Sequence, residues 1–574
     1  MKIGSITIAS LFAWCLLEVS LLTDADAQTV EVPLTHWSYD FLERLHTRGL
    51  IESPLLSTRP LTRHDMAKMI LPVVDDARLD AIEKQHVDFL LFEWREEIEA
   101  LAGRNGIATR VAAQEEMNRR RLRWLPDFAY RNGRNLFSLY AGQVRAYVDP
   151  ILYRDWTSNN TDTLPRQDRV YQNTSGFTLW GTLGSRLGFL VDARDTREWG
   201  TRAYPRGARI AWERFGHAAG FGTHVYHDET IAYLLLNLPY VEVELGKNNN
   251  RWGPGRTGAL ALSDYATSYD QIKLSAKFWR ARFTYVHGFL RQYPPLTEQE
   301  YLVNGVERKI FSNKYLAAHR LDVRPWRWLQ IGLHETVIYG ERGVELAYLN
   351  PISFYRSAEH FLGDRDNAML GMDVELRPRR NLRVYAELLL DDFSVSRLGD
   401  NWYGNKTAWL AGAHLTNPLG LRHSDWRVEL VHIEPYVYSH TFPINSYKNY
   451  GTPLGHWAGP NSELLFGEWL YWLSRRWQFK LQATHYRHGA NPADRNVGGD
   501  LDRAFVPGDS QRVKFLDGIK EQRTTLSVQA SYEFVRNLVA RCAVQRTRFL
   551  NAPSNAGRNN VTTWSLFLAI GLNY

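Results

Sequence analysis

The sequence predicts a mainly β fold: a transmembrane antiparallel β-barrel of about 18 strands that follows a small α-helical domain. Three observations support this class. Aromatic residues form 13% of the 574 residues, although the mean hydropathy is −0.38. Past residue 22, no apolar run is long enough for a membrane-spanning helix. From residue 125 onward, apolar and polar residues alternate with a period of two, as in strands with one apolar face.

Length and composition exclude several classes of protein. A chain of 574 residues exceeds the ~250–300 residues at which single cores stop growing, so we expect several domains or one large closed architecture. The aromatic content excludes a disordered chain. The net charge of +7 is small for this length and its charges are interspersed, so no nucleic-acid partner is expected.

Residues 1–27 have the pattern of a signal peptide. A lysine precedes a mostly apolar stretch over residues 3–22, and Ala25-Asp26-Ala27 is a typical cleavage site. We therefore expect export. Cys542 is then the one cysteine left in the mature sequence, so neither an intrachain disulfide nor a cysteine-based zinc site is expected.

Residues 28–124 predict a small helical domain. Thr35 is placed to cap a first helix that ends at Gly49, and Thr62 is placed to cap a second. A third helix is predicted over residues 79–101, where apolar residues recur every three or four positions.

Parts of this helical segment resemble a single S-layer-homology repeat, namely His36-Trp37-Ser38-Tyr39 and Arg59-Pro60-Leu61-Thr62-Arg63. Such repeats can bind cell-wall polymers, usually as a set of about three. Because one copy is found, a packing or docking module is favoured. An envelope polymer or a periplasmic partner stays open as its ligand.

The alternating region, residues 125–574, predicts eighteen strands. Its last stretch shows the pattern most clearly, because Trp564, Leu566, Leu568 and Ile570 fall on one face. The predicted strands are 136–153, 168–182, 185–195, 228–236, 239–247, 269–278, 280–290, 313–325, 327–338, 367–377, 381–393, 404–416, 425–437, 462–473, 476–488, 522–534, 538–549 and 561–574. Residues 204–215 and 345–356 are two further candidate strands.

The connections between these strands alternate between short turns and long loops. The hairpin-sized turns are 325–327, 378–380, 474–476 and 535–537, and the long connections are 339–366, 438–461, 489–521 and 550–560. This alternation is typical of outer-membrane barrels. An even number of strands puts both ends of the barrel on the short-turn, periplasmic side, so the helical domain is expected in the periplasm.

The element Trp252-Gly253-Pro254-Gly255 is most simply a turn. Together with several later motifs, however, it resembles the Wzi-type capsule assembly proteins of Gram-negative outer membranes. These motifs are Ser263-Asp264, His334 to Gly340, Tyr348-Leu349-Asn350-Pro351, Asp366-Asn367, Gly371-Met372-Asp373, Glu387 to Asp392, Tyr436 to His440 and Leu454 to Ser462. The resemblance implies a barrel whose surface loops act as a non-enzymatic lectin that helps to attach capsular polysaccharide. The helical segment is an addition to the simplest members of that family.

A candidate polysaccharide site lies in two predicted outer loops. Residues 248–268 are expected on the long-loop side, and residues 438–461 are expected to form the facing wall. Flat aromatic rings stack against the C–H faces of sugars, and arginine offers a planar fork of donors that suits an acidic sugar. The candidate residues are Arg251, Trp252, Arg256, Asp264, Tyr265, Tyr438, His440, His456 and Trp457. The alternative for the two arginines is an ordinary solvated role.

Other chemistry finds little support. The sequence contains no G-x-S-x-G, P-loop or H-E-x-x-H pattern. His224 and His227 could bind a metal, but solvated loop residues are the favoured interpretation. Glu335 could act as a catalytic acid, but a structural role at the barrel rim is favoured. We therefore expect no catalytic residue, metal or cofactor.

Two rival functions fit the same barrel. A diffusion porin or oligosaccharide channel would give steady conductance in planar bilayers, since barrels of about 16–18 strands leave an aqueous lumen. An envelope-modifying enzyme would turn over labelled glycolipid. The expected partners are capsular or other surface polysaccharide and outer-membrane lipid, and the expected location is the cell outer membrane.

Overall fold

The computed structural model describes most of the chain, in segments separated by gaps. These segments are residues 30–52, 55–102, 108–122, 125–126, 128–162, 167–201, 218–221, 224–292, 300–303, 306–309, 311–554 and 557–573. The predicted signal peptide and the candidate strand 204–215 lie outside the described residues.

Eighteen antiparallel strands of the described residues form a closed barrel. In chain order they are β1 (Val144–Thr161), β2 (Asp168–Leu183), β3 (Leu187–Gly200), β4 (His224–Asn237), β5 (Val241–Asn248), β6 (Tyr269–Phe278), β7 (Ala281–Leu290), β8 (Lys314–Trp326), β9 (Leu329–Gly340), β10 (Asn367–Arg379), β11 (Leu382–Asp392), β12 (Lys406–Thr416), β13 (Ser424–Ile433), β14 (Ser462–Trp472), β15 (Trp477–Ala490), β16 (Ile519–Val535), β17 (Leu538–Ser554) and β18 (Gly557–Leu572). β18 closes the barrel by pairing with β1, from Thr563 opposite Thr161 to Leu572 opposite Leu152. Each corresponds to one predicted strand, so the prediction of eighteen strands is confirmed.

The first strand is displaced from its predicted position. β1 starts at Val144 rather than at residue 136, because residues 137–141 form a separate short strand that pairs with the start of β1. Gly142, with a φ of 59°, lies in the tight turn between the two strands.

The N-terminal segment is helical, as predicted. Its described helices are α1 (Ser38–Arg48), α2 (Arg63–Ile70), α3 (Ala81–Glu93), α4 (Arg95–Ala102) and α5 (Ala108–Leu122). Gly49 ends α1 with a φ of 72°. The Thr62 side chain caps α2 by accepting a hydrogen bond of 3.1 Å from the Asp65 amide.

Two predicted helix boundaries are wrong. Thr35 does not cap α1, because the chain first makes a turn in which the His36 amide donates to the Pro33 carbonyl at 2.9 Å. The predicted third helix is interrupted at Trp94, which leaves the helical conformation and buries its ring in the helical core. α3 and α4 are therefore separate helices.

Short turns and long loops alternate around the barrel, as predicted. The two-residue turn between β10 and β11 contains Asn381 at a φ of 68°, and the turn between β16 and β17 contains Asn537 at a φ of 58°. At the opposite end, the connection after β9 forms two short helices, α6 (Leu346–Leu349) and α7 (Tyr355–Phe361). The candidate strand 345–356 is therefore wrong.

The helical segment fills the short-turn end of the barrel. Arg44 on α1 contacts Asp425 at the start of β13 and Glu83 at 3.0 Å. Glu93 at the end of α3 pairs with Arg536 in the turn after β16 at 3.0 Å. The helices thus pack inside the barrel and form ion pairs with its strands and turns. None of the helices in the described part of the chain is long and apolar enough to span a membrane.

Glu43 is the charged centre of this contact. Its carboxylate pairs with Arg59, with Arg383 at 3.3 Å and with Arg427 at 3.4 Å. Burial acts to raise the pKa of Glu43, but the three guanidinium groups lower it well below its usual value. The group therefore stays ionised and holds α1 against β11 and β13.

We expect Glu43→Ala to loosen the helical segment, because it leaves three guanidinium groups without this carboxylate. Removing one partner of a buried ion pair costs about 3–5 kcal/mol. Trypsin should therefore cut residues 30–122 of the folded protein in detergent at least about tenfold faster. The matched control is Glu116→Ala, which removes an exposed pair with Arg120 and should change stability by about 0–1 kcal/mol. Equal digestion of both variants would contradict this role of Glu43.

Candidate functional site

The loop predicted to form the binding surface turns into the lumen instead of projecting outward. Arg251 and Trp252 form a two-residue strand that pairs with Arg59 and Thr58 of the helical segment. Trp252 is fully buried, and the Gly253 amide donates to the Ser57 carbonyl at 2.7 Å. Residues 248–268 thus connect β5 and β6 on the long-loop side, as predicted, but they fold inward from there.

Two carboxylates of the barrel wall hold this inward loop. Glu387 on β11 accepts hydrogen bonds of 2.8 Å from the amides of both Gly255 and Leu260. Glu429 on β13 accepts a hydrogen bond of 2.8 Å from the Thr257 amide. At Gly253, whose φ is 142°, a Cβ atom would overlap the Glu387 carboxylate, so the close approach requires glycine. These partners lie 127 to 172 residues away in sequence, and no local sequence pattern predicts them.

The second predicted loop does face the first, as expected. Tyr438 donates its hydroxyl to the Leu260 carbonyl at 2.7 Å, and the Trp457 indole donates to the Thr257 carbonyl at 2.9 Å. His456 lies 3.0 Å from the Thr257 hydroxyl, and burial lowers its pKa to about 3. The two loops thus contact each other through groups that are buried, as for Tyr438 and His456, or partly buried, as for Trp457.

The nine predicted residues divide into buried and accessible groups. The buried members are Trp252, Tyr438 and His456. The partly exposed members are Arg251, Arg256, Asp264, Tyr265, His440 and Trp457. Among the latter, Arg256 pairs with Asp40 at 2.7 Å and Glu468 at 3.1 Å, and Arg251 lies 3.4 Å from Asp264. The role of these residues in polysaccharide binding stays a prediction.

Trp457 belongs to an aromatic cluster near the long-loop end of β15. Its ring lies 5.6 Å from that of Tyr486, and the Arg523 guanidinium lies 5.4 Å and 5.3 Å from the two rings. Arg523 pairs with Tyr486 across neighbouring strands. All three side chains are partly exposed, so they offer rings and a cation together.

A cavity, which we call the outer pocket, lies among the long loops. Its volume is about 310 Å³, at the lower end of typical ligand sites. It is lined by Arg356, Asp392, Phe393, Ser394, Trp402, Tyr403, Gly404, Lys406, Ser439, Thr441, Ala504 and Phe505. The rings of Tyr403 and Phe505 are stacked 3.6 Å apart, and that of Trp402 lies 5.4 Å from Tyr403.

Charged side chains surround these rings. Asp392 lies 3.0 Å from the Lys406 ammonium and 3.6 Å from the Arg356 guanidinium. Arg356 also pairs with Glu359 at 2.9 Å, and burial raises the pKa of Glu359 to about 7 although Arg356 lowers it. The outer pocket therefore combines flat apolar faces with donors and acceptors, the two kinds of group that a sugar ring requires.

None of the residues that line the outer pocket is among the nine residues of the sequence-based site. Residues 438–461 contribute Ser439 and Thr441, which flank the predicted His440. The sequence-based site does not contain Trp402, Tyr403 or Phe505, although they are aromatic residues in or beside long connections of the predicted barrel. Two separate loops bring them together, so their adjacency is a tertiary feature that composition alone does not encode.

The remaining candidates are the possible metal ligands His224 and His227 and the possible catalytic acid Glu335. His224 and His227 both lie on β4, where residues three apart point to opposite faces, so they do not share one site. Glu335 is buried and accepts hydrogen bonds from the Tyr355 and Arg356 amides. Among the residues that the structure describes, no group of three or more His, Cys, Asp or Glu side chains is arranged to hold a metal ion.

Comparisons with known proteins give one family and one fold. The family model of the capsule assembly protein Wzi matches residues 222–562. The solved structure of Wzi from Escherichia coli, described as a carbohydrate-binding β-barrel of the outer membrane involved in group 1 capsule assembly, is similar with a TM-score of 0.54 and 14% identity, covering 94% of this chain and 99% of that one. OccD3 of Pseudomonas aeruginosa has a TM-score of 0.38 and 10% identity, covering 74% of this chain and 91% of that one. No curated protein matches the sequence.

Proposed function

The chain belongs to the Wzi family of capsule assembly proteins, and from this premise we propose that it binds surface polysaccharide in the outer pocket. Membership confirms the interpretation of the chain as an outer-membrane capsule assembly protein rather than an enzyme. The observation that carries the proposed site is the group of aromatic rings at the outer pocket, bordered by Lys406, Asp392 and Arg356.

The rings provide the apolar part of the recognition. Sugar rings present C–H faces that pack on flat aromatic surfaces, and the partly exposed rings of Trp402, Tyr403 and Phe505 offer such surfaces. The hydroxyls of Ser439 and Thr441 and the charged groups supply donors and acceptors for sugar hydroxyls. A polymer lying across the outer loops could also reach the Trp457 cluster, so we retain Trp457 as a second contact.

The loops that carry the rings are held in place before any ligand binds. The Tyr403 amide donates to the Gln511 carbonyl at 3.1 Å, and the Val513 amide donates to the Asn401 carbonyl at 2.9 Å. These hydrogen bonds join the Trp402 loop to the Phe505 loop. Little ordering entropy would therefore be lost on binding, which favours affinity.

We expect Trp402→Ala to weaken binding of surface polysaccharide by roughly tenfold, since truncating a central interface ring costs more than about 1 kcal/mol. Binding of purified protein to immobilised polysaccharide measures the effect, with heat-modifiable gel migration as the check of folding. The matched control is Val395→Ala, which truncates an exposed apolar residue in the same loop. Unchanged binding by Trp402→Ala would contradict the proposed site.

A second variant separates this site from the inward loop. Trp252→Ala should leave a cavity in the packed lumen and cost about 3–5 kcal/mol, so assembly of the barrel should suffer. If Trp252→Ala instead assembles normally and loses polysaccharide binding while Trp402→Ala keeps it, the ligand contacts residues 248–268 and the outer pocket is not the site.

We also propose that the helical segment lies in the periplasm and the outer pocket faces the cell exterior. The support is the contact of the helices with short turns, which face the periplasm in outer-membrane barrels. The same position would leave exposed helix surface free for an envelope polymer or a periplasmic partner.

Epitope tags test this orientation. A tag after Val506 should be reached by antibody on whole cells, because that residue lies in an exposed loop of the long-loop end. A tag after Glu116 on α5 should be reached after the outer membrane is opened, and not before. The opposite labelling pattern would contradict the orientation.

A further inference from the structure

The connection between β9 and β10, residues 341–366, folds over the outside of the barrel; we call it the flap. On β7, β8 and β9 several residues that face away from the lumen are buried beneath it, including Tyr285, Ala317 and Val337. Their neighbours Val286, Ala318 and Ile338 face the lumen and pack in the cluster that contains Trp252. The two clusters lie on opposite faces of the same strands, so the flap covers the outer wall.

Specific hydrogen bonds fasten the flap to that wall. The Tyr285 hydroxyl donates to the Tyr348 carbonyl at 3.0 Å. Glu335, which faces outward as its position in β9 predicts, accepts hydrogen bonds of 2.8 Å and 2.6 Å from the Tyr355 and Arg356 amides. Within the flap, Tyr348 donates to Asp366 at 2.8 Å. The flap is therefore firmly attached to the outer face of the barrel wall.

The far side of the flap exposes several large apolar side chains. Leu346 is 78% exposed, Ile352 is 82% exposed and Phe361 is 92% exposed. Such a group of large apolar side chains on one surface marks a contact with a membrane or a protein. The surface continues directly into the apolar outer wall of β9 and β10, where Leu333 and Met372 are exposed.

We propose that the flap lies in the outer leaflet of the membrane, with Leu346, Ile352 and Phe361 in contact with lipid acyl chains. Continuity with the barrel wall selects lipid as the partner, because the wall itself contacts acyl chains in a transmembrane barrel. Like an interfacial helix, the flap exposes large apolar side chains together with charged ones such as His360 and Asp364.

This contact bears on the outer pocket, because the flap supplies one of its walls. Arg356 on α7 lines the outer pocket, while Phe361 at the end of the same helix points to the exposed side. If α7 lies in the lipid, Arg356 and this side of the outer pocket are held close to the membrane surface. The proposal does not depend on polysaccharide binding, and its test contains no polysaccharide.

Quenching by brominated lipid tests the contact. In mature protein without residues 1–27 and with Cys542→Ser, which together remove both cysteines of the sequence, single Ile352→Cys and Phe361→Cys positions carry an environment-sensitive fluorophore. The protein is reconstituted in phosphatidylcholine vesicles with brominated acyl chains. Leu333→Cys on the outer wall is the positive control, and Val506→Cys in an exposed outer loop is the negative control. Heat-modifiable migration confirms that each labelled variant is folded.

We expect both flap probes to be quenched at least about threefold more than the Val506 probe and to approach the Leu333 probe, because quenching requires contact with the acyl region. Quenching of the flap probes equal to that of Val506 would overturn the proposal. The proposal would also be overturned if brominated lipid did not quench the flap probes but their fluorescence changed with the protein-to-lipid ratio. A second copy of the chain would then cover the flap.

Discussion

Charged side chains that face the lumen must each find a partner, and this requirement determines how the barrel is filled. Arg320 on β8 lies 2.7 Å from Asp322 and 2.5 Å from Asp373, and the Thr58 hydroxyl of the helical segment donates to Asp322 at 2.6 Å. Lys273 on β6 pairs with Glu244 of the wall and with Glu31 of the helical segment, both at 2.7 Å. An isolated buried charge costs several kcal/mol, so the wall and its contents form one electrostatic unit.

The same requirement explains why ligand recognition is assigned to the outer loops. Residues 248–268 are held by Glu387 and Glu429, and α1 is held by Asp425 and Arg427, so the backbone and charged groups that make these contacts already have partners within the protein. A lumen occupied in this way also disfavours the rival function of a wide diffusion channel. The outer pocket, in contrast, has partly exposed rings on loops joined by backbone hydrogen bonds.

Local patterns in the sequence predict the barrel well and its interior poorly. Alternation with a period of two and short Asn-containing turns are local properties, so the eighteen strands and the outward position of Glu335 follow from them. The inward fold of residues 248–268 depends on Glu387, which is far away along the chain, so strand parity predicts the end of the barrel at which this loop lies but not its entry into the lumen. The stacking of Tyr403 on Phe505 joins two long loops whose conformations have no periodic pattern, so the outer pocket had no comparable indication.

Hydrogen–deuterium exchange of the folded protein, with and without a fragment of the surface polysaccharide, tests most directly the division between a fixed interior and a binding exterior. Binding in the outer pocket predicts slower exchange in residues 393–405 and 500–513, with no change in residues 249–268 or in α1. Slower exchange in residues 249–268, with none in the two outer loops, would contradict it.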